Sequence, residues 1–257
     1  MNSENYNRLC LIFENYRNSL IEEERDLLDK ALRAYNSQLF VVINKLKEIP
    51  NYKDLNYQQI ANVLLSDVQT LKIIKNIRVT CEKYNNGELK GEEYKFLSLI
   101  SLSRKFSEFI DSIINISDIL DRHIGMIVID RDIDLYRGFN AKEGEEKISK
   151  SEYISTSTSI DVAKCFIHND KLYKNSLGDV KQLDKHIVHL KVKAGVPFMI
   201  FPFNKEQNEI LIFANTLDIK LINKNTKNMY GWYNYIEEEY ICSLKKDYKL
   251  NLDNISK

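Results

Sequence analysis

Four cysteines, eight glycines and three prolines are few for a chain of 257 residues, and each shortage closes off a class of protein. Cys10, Cys81, Cys165 and Cys242 stand far apart, with no CxxC pair and no histidine at ligand spacing. Neither a disulfide framework nor a zinc centre is expected, and the four read as small buried apolar residues. His123, His168, His186 and His189 also lack metal spacing, and 186 and 189 would point to opposite faces of one strand. No phosphate-cradling glycine loop, HExxH pair or nucleophile elbow occurs. No stretch approaches the ~18 apolar residues of a membrane span, and the opening Met1-Asn2-Ser3-Glu4-Asn5 has no basic and apolar leader pattern. Lys plus Arg and Asp plus Glu both number 37, so the charge balance supports neither a phosphate backbone nor a membrane surface as partner. Nucleic acid is left open, though unsupported. A soluble protein of a reducing compartment, without a metal, is the expectation.

What is present falls into two halves of different period. Folding a chain of this length buries roughly 70 to 75% of its extended surface, enough for a substantial core. Up to about Ile124 the apolar residues recur at three and four, the helical spacing. Ser19 with Glu22 is a candidate capping box. The stripe Leu27, Leu28, Ala31, Leu32, Tyr35, Leu39 runs on to Ile43 and Leu46 before Pro50 stops it. A second helix is predicted through Ile60, Leu64, Leu71 and Ile74, ending near Asn85-Asn86-Gly87, and a third through Phe96, Leu99, Phe106, Phe109 and Ile113. After Gly125 the runs shorten to four to eight residues rich in Val, Ile, Tyr and Phe, the mark of strands. Predicted strands are 133–136, 153–155, 187–192, 198–200, 209–213, 219–222 and 240–244, with one helix starting near Thr158 and Asp161. Helices followed by strands argue for an α+β architecture: a helical region over 1–125 and a β-rich core over 126–257, or one compact unit containing both.

Three short stretches in the second half arrive in order: Leu135-Tyr136-Arg137-Gly138, Tyr153-Ile154-Ser155-Thr156-Ser157, and Gln207-Asn208-Glu209-Ile210-Leu211-Ile212. Each alone is common, but the ordered set with strand-like flanks resembles the mono-ADP-ribosyltransferases of the arginine, serine-threonine-serine, glutamate (R-S-E) type. That family includes clostridial Rho-modifying and actin-modifying exotoxins and phage-encoded relatives. The resemblance implies a mixed β-sandwich core and NAD as a substrate, with no metal. It also implies a site of action in the cytoplasm, or in a host cytosol into which the protein is delivered.

Cleaving the nicotinamide–ribose bond leaves a cationic ribose, so a carboxylate is needed near that ring and a cation near the diphosphate. Glu209 and Arg137 are of those two types. A carboxylate facing the developing charge stabilises the transition state more than the ground state, and the resemblance gives Glu209 this role. Arg137 would aim its fork of donors at diphosphate or ribose oxygens, while Gly138 would let backbone approach a flat ligand. Ser155 matches the first serine of the family motif, where it helps hold the glutamate and NAD; Ser157-Thr158-Ser159 offers a second register. With Ser155 as the motif serine, Phe166 falls where binary toxins carry an aromatic that packs on nicotinamide. In the helical half, Asn44, with Phe40 and Tyr35 before it, resembles the family's Ile-Asn contact to NAD. One departure is Asn169, which stands where a basic residue is usual, with Lys171 nearby.

Gln207 bears on the acceptor. Arginine-modifying relatives carry glutamate there, which can take a guanidinium proton; free arginine has a pKa of about 13. Glutamine cannot take that proton but can orient an amide, a hydroxyl or a nucleobase, so a non-arginine acceptor is expected, most simply on a protein. Glu206 would substitute only if a turn or bulge moved it to the Glu209 face, and Phe203 is a candidate to read a protein substrate or to fill the core. The same motifs would serve an NAD glycohydrolase, and a catalytically silent binding module is the reading from a different class.

Overall fold

The computed structural model describes residues 2–101, 105–142, 148, 153–167, 172–174, 180–201, 209–229 and 233–248. The chain divides into two compact units: Tyr16–Ile124, and Met1–Asn15 together with Gly125–Lys257. The first fifteen residues therefore group with the strands, although their helical period matches the segment that follows them.

Helix α1 (Asn2–Ser19) begins in the strand unit, and the helical unit continues with α2 (Glu22–Ala34), a π turn over Tyr35–Leu39 and α3 (Phe40–Lys47). After them come α4 (Tyr57–Ser66), α5 (Val68–Asn85), a 3-10 segment (Glu92–Leu99) and α6 (Phe106–Ile124). Leu28, Leu32, Leu39, Ile43, Leu46, Ile60, Leu64, Ile113 and Leu120 are buried, as the apolar stripes require.

The breaks within those stripes are where the fold departs from the sequence reading. Leu27 to Leu46 is not one helix, because Ser37 leaves helical geometry at ψ −172°. Its hydroxyl donates to the Ala34 carbonyl at 2.5 Å and accepts from the Leu39 amide at 3.2 Å, replacing bonds that the backbone gives up. The second predicted helix is two, separated at Asp67, whose extended backbone (ψ 118°) and side chain bonded to the Thr70 amide at 2.7 Å start α5. The third is a 3-10 segment followed by α6. The Ser19–Glu22 box does not form: α1 runs through Ser19, whose hydroxyl donates to the Tyr16 carbonyl, and Ile21 stands at the start of α2 without a side-chain cap. A capping box instead opens α4, where Asn56 and Gln59 bond each other's amides at 3.0 and 3.1 Å.

In the other unit the strands are β1 (Ile133–Ala141), β2 (Tyr153–Ser157), β3 (Leu172–Lys174), β4 (Val180–Gln182) and β5 (Asp184–Val192), followed by β6 (Phe198–Ile200), β7 (Glu209–Phe213), β8 (Leu217–Met229) and β9 (Tyr233–Leu244). A short helix, α7 (Ile160–Cys165), follows β2. Among the described residues, seven strands form a mixed sheet in the order β6-β7-β2-β1-β5-β9-β8, and β3 pairs with β4 separately. The fold is α+β. β5 runs antiparallel to β1 and parallel to β9. Val188, Leu190 and Val192 are buried on one of its faces and Ile187 on the other, where Lys191 is exposed. Each such side chain contributes about 1.5 to 3 kcal/mol by leaving water.

All four cysteines are free thiols. Cys81 and Cys242 are buried and Cys10 is half-buried, but Cys165 is exposed at the end of α7, against the expectation for it.

Candidate active site

The sheet has one weak joint. β1 pairs with β5 along its whole length, and β2 likewise with β7, yet among the described residues β1 and β2 meet only where Tyr136 lies opposite Ser157. Where two strands part, backbone groups are left to side-chain partners. Arg137, one residue past the joint, fills that role: its Nη1 donates to the Ser155 carbonyl at 3.2 Å.

Across the β2–β7 ladder Ser157 faces Glu209 and Ser155 faces Leu211. With a period of two, these four side chains share one face, and Ser155 is the diagonal neighbour of Glu209. The Ser155 hydroxyl donates to Glu209 Oε1 at 2.5 Å. Ser157, the start of the second register, acts elsewhere, its hydroxyl accepting from the Ser159 amide at 3.1 Å and so shaping the turn into α7. Thr156 points to the opposite face and ties β2 to β7 through a 2.7 Å bond to the Ile210 carbonyl.

Glu209 is half-buried, and its acidity reflects three influences. Burial raises the pKa above the ordinary glutamate value, while the Ser155 hydroxyl and then the Arg137 charge pull it back. The carboxylate is thus one whose ionised form depends on its two neighbours. Tyr6 of α1, in the same unit, is buried, and its hydroxyl is held neutral chiefly by that burial, with smaller contributions from Cys10 and the Glu209 charge.

Gly138 follows Arg137 and has a packing reason for lacking a side chain. A Cβ there would lie 1.8 Å from the carbonyl oxygen of Ala163 in α7. The room expected for a ligand is occupied by a helix backbone that must lie against β1. Phe166 caps that same helix, its amide donating to the Ala163 carbonyl at 3.2 Å, and its ring is 53% exposed. It is therefore not a core residue.

Asn44 belongs to the helical unit, where it is half-buried on α3 and its Oδ1 accepts from the Tyr35 hydroxyl at 3.2 Å. Gln207, Glu206, Phe203, Asn169 and Lys171 lie outside the described residues. The strand unit thus brings Arg137, Ser155 and Glu209 together, with Gly138 and Phe166 on or against α7. The sequence reading passes over Phe139, which the period-two rule places on the face of Arg137; its ring centroid is 5.9 Å from the guanidinium carbon. Among the described residues no group of His, Cys, Asp and Glu could hold a metal ion, and no helix is long and apolar enough to cross a membrane. A guanidinium beside a carboxylate of adjustable charge suits a ligand that carries both anionic oxygens and a hydroxylated ring that becomes cationic.

No protein-family model matches the chain, and no curated protein does. Solved structures are similar to it at low identity. Plx2a, an ADP-ribosyltransferase toxin from Paenibacillus larvae, aligns over 94% of this chain and 96% of its own, with 9% identity and a TM-score of 0.47. The ADP-ribosyltransferase Vis, from Vibrio splendidus, aligns in an inhibitor complex over 96% of this chain and 87% of its own, with 13% identity and a TM-score of 0.41. An ADP-ribosyltransferase from Clostridium botulinum aligns over 52% of this chain and 71% of its own, with 13% identity and a TM-score of 0.36.

Proposed function

We propose that this protein is a mono-ADP-ribosyltransferase that cleaves NAD at the nicotinamide–ribose bond and transfers ADP-ribose to a macromolecule. The supporting observation is that Ser155 engages both key groups, Arg137 through its carbonyl and Glu209 through its hydroxyl.

When the bond to nicotinamide breaks, its electron pair leaves with the ring nitrogen, which becomes neutral, and the positive charge passes to the ribose. Glu209 holds the ribose 2'-hydroxyl and faces that charge, so its interaction strengthens as the bond breaks. Ser155 keeps the carboxylate ionised and aimed. Arg137 anchors the diphosphate with charge-assisted bonds. The exposed ring of Phe166 offers a face to nicotinamide. An acceptor atom then bonds to the ribose carbon and gives up its proton.

Gln207, two residues before Glu209, has no basic group for a guanidinium proton. The acceptor is therefore an amide or hydroxyl, on a protein in the cytosol of the producing or a receiving cell. Incubation with labelled NAD and cell lysate tests the proposal. Label on a macromolecule, absent with Glu209→Gln, is expected. Free ADP-ribose alone would assign a glycohydrolase, and unchanged NAD a silent binding module.

A further inference from the structure

One charged side chain in the strand unit has no part in the chemistry above and yet is buried. Glu238 of β9 is 6% exposed, and an isolated carboxylate at that depth would carry a heavy desolvation cost. Lys224 of β8 forms an ion pair with it at 2.7 Å from Oε1, and His186 Nδ1 of β5 lies 3.5 Å from Oε2 without completing a hydrogen bond. These partners hold its carboxyl far down, at about 2, with the His186 contact the larger influence and burial opposing both.

The register shows what this arrangement supports. Arg137, Val188, Glu238 and Lys224 are successive partners across β1, β5, β9 and β8, so they form one row on one face of the sheet. Phe139 and His186 are partners in the next row of the same face. Their rings stack nearly parallel, 6° apart in plane and 5.0 Å between centroids. Phe139 in turn lies under Arg137, within the ~6 Å range of a cation–π contact. The row leads from the Lys224–Glu238 ion pair through the His186 ring and the Phe139 ring to the guanidinium.

We infer that Phe139, His186 and Glu238 are positioning residues that hold the Arg137 fork where it meets the diphosphate of NAD. Glu238 lies beside the imidazole, the imidazole stacks on the phenyl ring, and the phenyl ring lies under the guanidinium. This rests on the proposed role of Arg137 in binding NAD. A fork held in advance loses less freedom on binding, so the network acts on NAD affinity and leaves bond cleavage to Glu209.

The test is steady-state NAD turnover by the full chain, with melting temperature recorded for every variant. Phe139→Leu, which deletes the ring, is expected to raise KM for NAD about tenfold with kcat within about twofold. Phe139→Tyr keeps a ring face and is expected to retain the parent KM. Glu238→Gln, which loosens the imidazole, is expected to raise KM in the same manner and supplies the test if Phe139→Leu does not fold. An unchanged KM in Phe139→Leu or Glu238→Gln, or an equal rise in Phe139→Tyr, overturns the inference alone. Absence of NAD turnover by the parent chain overturns the functional proposal and the inference with it.

Discussion

The Ser155 hydroxyl donates to Glu209 Oε1 across 2.5 Å, from the middle of β2 to the first residue of β7. Because a bond to the charged form lowers a carboxyl pKa, Ser155→Ala leaves burial less opposed and raises the Glu209 pKa further. A proposed mechanism that needs the carboxylate then loses activity from the acid side sooner. The expected result is an acid limb of the kcat profile moved toward neutral pH, with a rate loss of about 10- to 100-fold from the missing charge-assisted bond. Steady-state NAD hydrolysis or transfer across pH checks both.

Glu209→Gln separates function from stability. Its folded pKa lies above the unfolded value of 4.5, so the folded state holds the proton more tightly. That contribution is present in full below 4.5 and is lost as pH rises through the folded value, and at neutral pH the ionised carboxylate costs stability. The variant is expected to lose about 10² to 10³ in rate while melting no lower than the parent at pH 7. Calorimetry at pH 4 and pH 7 should show its advantage only at the higher pH.

Gly138→Ala tests whether α7 must lie against β1. The new Cβ would fall 1.8 Å from the Ala163 carbonyl, so helix or strand backbone must move. Overpacking of this kind costs about 1 to 3 kcal/mol. A lower melting temperature together with weaker NAD binding is expected, since α7 carries Phe166. Fluorescence titration with NAD and thermal unfolding read the two effects.

In the helical unit, Tyr16 and His123 meet at 2.5 Å between hydroxyl and Nδ1, and His123 is 5% exposed. Burial, with help from Arg122, lowers the His123 pKa from 6.5 to about 4. The folded state therefore resists the proton that the unfolded chain accepts. The stability this gives is complete above pH 6.5 and is lost as pH falls from there to about 4. Linkage of this size is of order 3 kcal/mol. His123→Phe is expected to flatten that part of the stability profile, measured by urea unfolding between pH 4 and 7.

What can be read from the sequence follows from periodicity. Strands 198–200 and 209–213 are predicted at the bounds they adopt: the first lies between Pro197 and Pro202, and the second begins after Asn208. The apolar stripe of a helix, in contrast, is blind to a hydroxyl that bends it. Burial of Leu32, Leu39 and Leu46 is the same whether or not Ser37 breaks the helix between them. Asp67 does carry a readable signal, an acidic residue before an apolar run, which the longer stripe masks. At the site, the order Arg137, Ser155, Glu209 is visible, but the choice between Ser155 and Ser157 as the partner of Glu209 is a matter of strand register. Gly138 resembles a ligand position because sequence cannot show that the Ala163 carbonyl comes so close. The partnership of Phe139, His186 and Glu238 depends on which strands are neighbours, and neighbour order is not written in any one strand.

The grouping of Met1–Asn15 with Gly125–Lys257 has a consequence during synthesis. The stretch 16–124 is continuous and can collapse as soon as it leaves the ribosome. The unit holding Glu209 is discontinuous: Leu9 and Phe13, both buried, must wait for strands made more than a hundred residues later. At about 5 to 20 residues per second that delay is of order ten seconds or more. A nascent chain would thus carry an ordered helical half while the half that holds Glu209 is still unable to close, and under the proposed function a ribosome that stops early would release nothing able to consume NAD.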